Sequence, residues 1–255
     1  MKIKFIVARK NDEKFSRYLL PSLQKLSCMA IQLLDEPNKK DTIFTKYNQA
    51  IDTILSSTVD PTDVFVFVHE DVAIVDPIFK EKVELLFNTK NVALVGIAGS
   101  TILTDAGGWW MNPFDKLRGH LLQGKDDGQE GEAFYLQKGP VGYFEDVCCI
   151  DGCLMMTTGK QLQDGLRFDD KTFNDDNDMY DIDLCLSLLE RNLTIAVADM
   201  LVFHRSMGKG SLGETWHLSK NKLITKWLQK GKTFPITKES INNVLVQPKI
   251  VEIEV

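Results

Sequence analysis

The chain has 255 residues, 44% hydrophobic and 26% charged, with a net charge of −6. That length supports one large α/β domain or two small ones, with a sizeable core, and the acidic balance argues against nucleic-acid binding, which draws on clustered Lys and Arg. No apolar run approaches about 18 residues, so no transmembrane segment is expected, and an anionic ligand would need local positive charge or a metal ion.

The opening "MKIKFIVARKND" is too short in apolar residues for a secretory signal and predicts a strand over 3–8 that ends at Ala8-Arg9. "EKFSRYLLPSLQKL" has helical spacing, with Pro21 starting or kinking a turn. A second strand over 29–34 runs into Asp35-Glu36, and "IFTKYNQAIDTIL" (43–55) predicts an amphipathic helix carrying Asn48. Next comes the strand 64–68, which sets down His69-Glu70-Asp71, then a helix over "DPIFKEKVELLFN" and a continuous strand over 92–99. Apolar strands separated by helices indicate a mostly parallel central sheet covered on both faces, an α/β fold.

The pattern then breaks. Eight of the seventeen glycines fall between Gly107 and Gly142, with "GGWWMNP" among them, which predicts loop that could act as a lid. "VCCIDGCLMMTT" (147–158) predicts a strand interrupted by Asp151-Gly152. Seven aspartates lie between 169 and 183, running into a helix predicted over 182–191. An EF-hand is excluded, since Met179 stands where Gly is required; most of these aspartates are expected to be a solvated, helix-capping loop. A buried strand over 193–204 ends at His204, a helix covers 219–230, and "KIVEIEV" alternates as a half-exposed edge strand. The five cysteines, odd in number and in apolar contexts, predict reduced thiols in a cytoplasmic protein.

Ligands of an open parallel sheet bind beyond the carboxyl ends of its strands, where Arg9, Asp35, Glu36, His69, Glu70, Asp71 and His204 are all expected. A carboxylate and an imidazole with open positions, Asp71 and His204, suit Mn²⁺ or less ideally Mg²⁺; taken singly, Asp71 could be a helix cap and His204 a strand end. Asp181, at a helix start and on the apolar side, could act as a general base. Trp109 and Trp110 could stack on a sugar or lie in the core, and Asp151-Gly152 could bind a hydroxyl or make a turn.

The ordered set "VFVHEDV", "GGWW", "CIDGCLMMTT", "FDDKTF…MYDIDLCLSLLERN" and "VFHRSMG" resembles the family 2-like glycosyltransferases of GT-A fold, specifically the streptomycin-biosynthesis-type glycosyltransferase-like domain. The resemblance covers roughly residues 3–230 and implies sugar transfer from a UDP-, GDP- or dTDP-sugar to a glycan or small-molecule acceptor. It implies that Asp71 and His204 hold a divalent metal, with His69 standing where the family's first Asp would be. It implies that Asp181 is the base of an inverting displacement, with Tyr180 in place of the family's Glu. Ala8, Arg9, Asp35, Glu36, Asn48, Glu70 and Asp71 would bind the donor, and Trp109, Trp110, Asp151 and Gly152 the acceptor. One domain is expected over 1–255, with a nucleotide-binding half (1–100), an acceptor and catalytic half (101–235) and a tail (236–255). A binding protein without turnover and a nucleotidyltransferase are the alternatives, the latter weakened because "ARKNDEKF" lacks the glycines of a phosphate loop. Oligomeric state stays open.

Overall fold

In the computed structural model of the chain, residues 1–34, 41–124, 133–135, 142–206 and 212–242 are described. Asp35, Glu36 and the alternating C-terminal segment lie outside them. Strands that are apolar without alternation are the ones sealed on both faces, as burial on two sides requires. Val64, Phe65, Val66, Phe67 and Val68 are all fully buried, as are Phe5, Ile6 and Val7. They belong to a seven-stranded sheet in the order Tyr143–Phe144, Ile195–Ala198, Leu94–Gly96, Leu154–Thr158, Val64–His69, Ile3–Arg9, Ala30–Leu34. Ile3–Arg9 runs parallel to both its neighbours, in a register that sets Ala8 beside His69. Leu154–Thr158 runs antiparallel between two of these strands, and Tyr143–Phe144 is likewise reversed. The sheet is therefore mostly parallel, as the apolar runs predict.

The reversed strand matters for the site. Because Leu154 pairs with Val68, the turn that precedes it arrives at the same sheet edge as His69, and the His69 N–H donates to the Cys153 carbonyl at 3.0 Å. A second sheet, ordered Cys149–Ile150, Ala98–Ser100, Leu117–Gln123, Val202–His204, Val72–Ile74, crosses this edge. Its register puts His204 opposite Val72, and the Arg205 N–H donates to the Asp71 carbonyl at 2.9 Å. Asp71 and His204, distant in sequence, are thus fixed side by side by backbone pairing.

Four expectations are corrected. The apolar runs 92–99 and 193–204 are each two strands, because the chain passes from the central sheet into the second one: Leu94–Gly96 and Ala98–Ser100 through buried Ile97, then Ile195–Ala198 and Val202–His204 through Asp199, Met200 and Leu201. The glycine-rich stretch contains a seven-residue strand, Leu117–Gln123, with Gly119 at φ +101°, where a Cβ would stand 2.1 Å from the Ile97 carbonyl oxygen. The aspartate-rich segment is not simply solvated: Asp176 and Asp183 are buried. Lys226 donates to both Asp183 oxygens at 2.7 Å and to Asp169 at 2.8 Å, and Trp227 Nε1 adds a bond to Asp183. The cause is the helix Glu214–Gln229, which packs over that segment. Pro21 acts as expected: lacking an N–H, it follows a five-residue π turn, Phe15–Leu19. Helix Ile43–Leu55 begins at a capping box between Thr42 and Thr45.

Candidate active site

A cleft of about 1070 Å³ opens at the carboxyl edge of the central sheet, between it and the second sheet. Its lining includes Ala8, Glu70, Asp71, Trp109, Trp110, Asp151, Gly152, Asp181 and His204, all of them site residues expected from the sequence. Arg9 and Asn48 do not line it. Arg9 is tied to Gln32 and to Asp12 and lies over the Phe15 ring. Asn48 clamps the backbone of Phe168 and the side chain of Asp170.

At the floor, His69, Asp71 and His204 bring one ligand atom each within 4.8 Å of one another. His204 Nε2 stands 3.4 Å from Asp71 Oδ1 and 3.5 Å from His69 Nδ1. Burial pushes the Asp71 carboxyl up, but His204's hydrogen bond and charge, with the charges of His69 and Lys14, hold it well below the usual carboxylate range. Burial, reinforced by His204, lowers His69 to about 4. A neutral imidazole and an ionised carboxylate are the protonation states that metal ligation needs. Two imidazoles and a carboxylate suit Mn²⁺ better than Mg²⁺, which favours an oxygen shell, so the donor set fits a divalent ion of the former kind. Sequence reasoning misses His69 as a member of this candidate metal cluster; its position two residues before Asp71, at a strand end, is the signal that could have found it.

Asp181 sits in the first turn of the helix Tyr180–Glu190, which opens at Met179 in the left-handed region, φ +68°. Its Oδ2 accepts the Gly152 N–H at 2.8 Å and its Oδ1 the Ile182 N–H at 2.9 Å. Burial raises its pKa from 3.8 to about 7, with the charge of Asp151 adding to the rise and the backbone N–H groups opposing it. Such a carboxylate can take a proton near neutrality. Asp151 accepts from Trp109 Nε1 at 2.8 Å and from the Cys153 N–H at 2.7 Å. Trp109 is thereby locked at 4% exposure, whereas Trp110, which also lines the cleft, is 47% exposed. Phe114 and Trp216 continue that wall.

Positive charge comes from Lys10 and Lys14, both lining the cleft, with Lys14 Nζ 3.4 Å from Asp71 Oδ2. Glu70 accepts the Lys10 and Asn11 N–H groups at 2.7 and 2.8 Å, pinning the backbone that carries Lys10 and leads into the short helix Asp12–Lys14.

Residues 4–226 match the model of the Glycosyltransferase like family. Curated protein sequences give no match. Among solved structures, the mannosyltransferase PcManGT from Pyrobaculum calidifontis, in complex with GDP-Man and Mn²⁺, superposes with a TM-score of 0.52 at 9% identity, over 91% of this chain and 65% of that one. The chain thus spans under two thirds of that enzyme's length. A glycosyltransferase involved in the glycosylation of the major capsid of PBCV-1 overlaps with a TM-score of 0.42 at 10% identity, over 88% of this chain and 100% of that chain. No helix among the described residues is long and apolar enough to cross a membrane. The mostly parallel sheet and the family match together establish that this chain has the GT-A fold and belongs to the glycosyltransferase-like family.

Proposed function

We propose that the protein transfers a sugar from a nucleotide-sugar donor to an acceptor hydroxyl, with inversion and with a divalent metal. The observation that carries this is the convergence of Asp71, His204 and Asp181 on one cleft with His69 and Trp110. His69, Asp71 and His204 would hold the metal, which when bound supplies charge neutralisation to a diphosphate leaving group. Lys10 and Lys14 add cationic charge on the same side, answering how an acidic protein accommodates an anionic donor. Asp181 removes the proton of the acceptor hydroxyl, and the oxygen attacks the anomeric carbon opposite the leaving group. Its two backbone N–H bonds aim the carboxylate before substrate arrives. Trp110 offers its open face to a sugar ring. Ala8, with the loop pinned by Glu70, would border the nucleoside, as would Asp35 and Glu36. Arg9 and Asn48 would act from behind this surface by fixing Gln32 and Phe168. Residues 1–100 then supply most donor contacts and 101–235 the acceptor side. The five free thiols support a cytoplasmic, reducing setting.

The test is donor turnover. Purified protein is incubated with UDP-, GDP- and dTDP-sugars, GDP-mannose included, with Mn²⁺, and free nucleoside diphosphate is measured with and without chelator. Metal-dependent release with one donor supports the assignment. Binding without release would favour a non-catalytic carbohydrate-binding protein, and pyrophosphate from an NTP and a sugar phosphate would point to nucleotidyl transfer.

A further inference from the structure

The geometry points to Tyr180 as a positioning residue that acts through His69, fixing which ring nitrogen faces the metal. The inference rests on the metal reading above. His69 Nε2 lies 2.6 Å from Tyr180 Oη, while Nδ1 faces His204 Nε2 at 3.5 Å. A neutral imidazole carries one proton, so a lone pair on Nδ1 requires that proton on Nε2, where the Tyr180 oxygen accepts it. Metal-bound histidines take such an outer partner to hold the ring and its tautomer.

The surroundings are built to deliver that hydroxyl. The Tyr180 ring is buried, with Phe44, Tyr47 and Phe168 around it at centroid distances of 6.1, 6.0 and 6.3 Å. It enters the site from the first position of its helix, just after the left-handed turn at Met179. Gly152 is what lets the hydroxyl through. A Cβ there would fall 2.2 Å from Tyr180 Oη and 2.5 Å from Cζ. The residue read from sequence as part of an acceptor-binding pair therefore has two demonstrable tasks. It leaves room for Tyr180, and its N–H holds Asp181.

The test is metal affinity, measured by calorimetric titration of the full chain with Mn²⁺, and the visible spectrum of the Co²⁺-loaded protein. Tyr180→Phe keeps the ring in its aromatic cluster and removes only the hydroxyl. It should weaken Mn²⁺ binding about tenfold or more and shift the Co²⁺ bands. In a His69→Ala background the same change should cost no further affinity, because the tyrosine acts only through that ring. Should Tyr180→Phe fold poorly, Gly152→Ala displaces the intact hydroxyl and should give the same loss. Wild-type affinity and spectrum in Tyr180→Phe, or equal additional losses in both backgrounds, would overturn the role of Tyr180. No binding of either ion by the wild-type protein would instead remove the metal reading on which it rests.

Discussion

Replacing Asp181, the proposed base, by asparagine separates it from its surroundings in a way stability can report. Burial and Asp151 raise the Asp181 pKa from 3.8 to about 7. An acid whose native pKa exceeds its unfolded value holds its proton more tightly when folded, so native stability falls as pH rises through that window. Integrating the linkage relation, this one group should cost the wild-type protein about 2.5 kcal/mol between pH 5 and pH 8. The amide that replaces the carboxyl cannot ionise, so the Asp181→Asn variant is free of that slope. At fixed pH it also loses one of two acceptors for the Gly152 and Ile182 N–H groups, a penalty of about 1–3 kcal/mol. That penalty does not depend on pH, which makes the difference in slope the quantity to read. Urea unfolding of both proteins in chelator at the two pH values measures it. Transfer activity should fall by about 10²- to 10⁴-fold in the variant, with donor binding retained. Parallel stability curves would refute the raised pKa, and normal turnover would remove Asp181 from the mechanism.

His204→Ala should raise the Mn²⁺ concentration for half-maximal activity by about tenfold or more, as should Asp71→Ala; unchanged metal titrations would break the proposed pairing. Trp110→Ala, at a side chain 47% exposed, should weaken sugar affinity about threefold to tenfold while moving stability by less than about 0.5 kcal/mol. A large fall in melting temperature with normal kinetics would return Trp110 to the core. Lys226→Met strands Asp183, which is 2% exposed, without its cation, and should destabilise the fold by about 3 kcal/mol in urea titrations; a change below about 0.5 kcal/mol would show that Trp227 alone satisfies that carboxylate.

Strand content is legible because burial on both faces leaves unbroken apolar runs, and the sheet edge is legible because polar residues end those runs. Asp71 and His204 stand out on that basis, Asp181 by its place at a helix start on the apolar side, and all three lie in one cleft. What escapes shares a physical cause. At Ile97 the chain leaves one sheet for another while staying fully buried, so no polar or turn residue marks the change. The strand Leu117–Gln123 hides among glycines, one of which it uses at positive φ. Local helical spacing alone would turn Asp183 outward, yet it is buried, because its partner Lys226 arrives 43 residues later on another helix. Periodicity within one element carries no information about what a distant element will bring to it.

The same limit applies to the His69–Asp71–His204 cluster at the floor of the cleft. By sequence, His69 and Tyr180 are two separate departures from the pattern that the resemblance implies, and each taken alone weakens the case for an active site. In the structure they meet at 2.6 Å, 111 residues apart. An aspartate at position 69 would need no outer partner to select a tautomer, whereas an imidazole does. A tyrosine at position 180 can serve that need only where position 152 lacks a Cβ. The three residues therefore form one mutually dependent arrangement: the histidine calls for the hydroxyl, the hydroxyl calls for the glycine, and the N–H of that same glycine holds the Asp181 carboxylate.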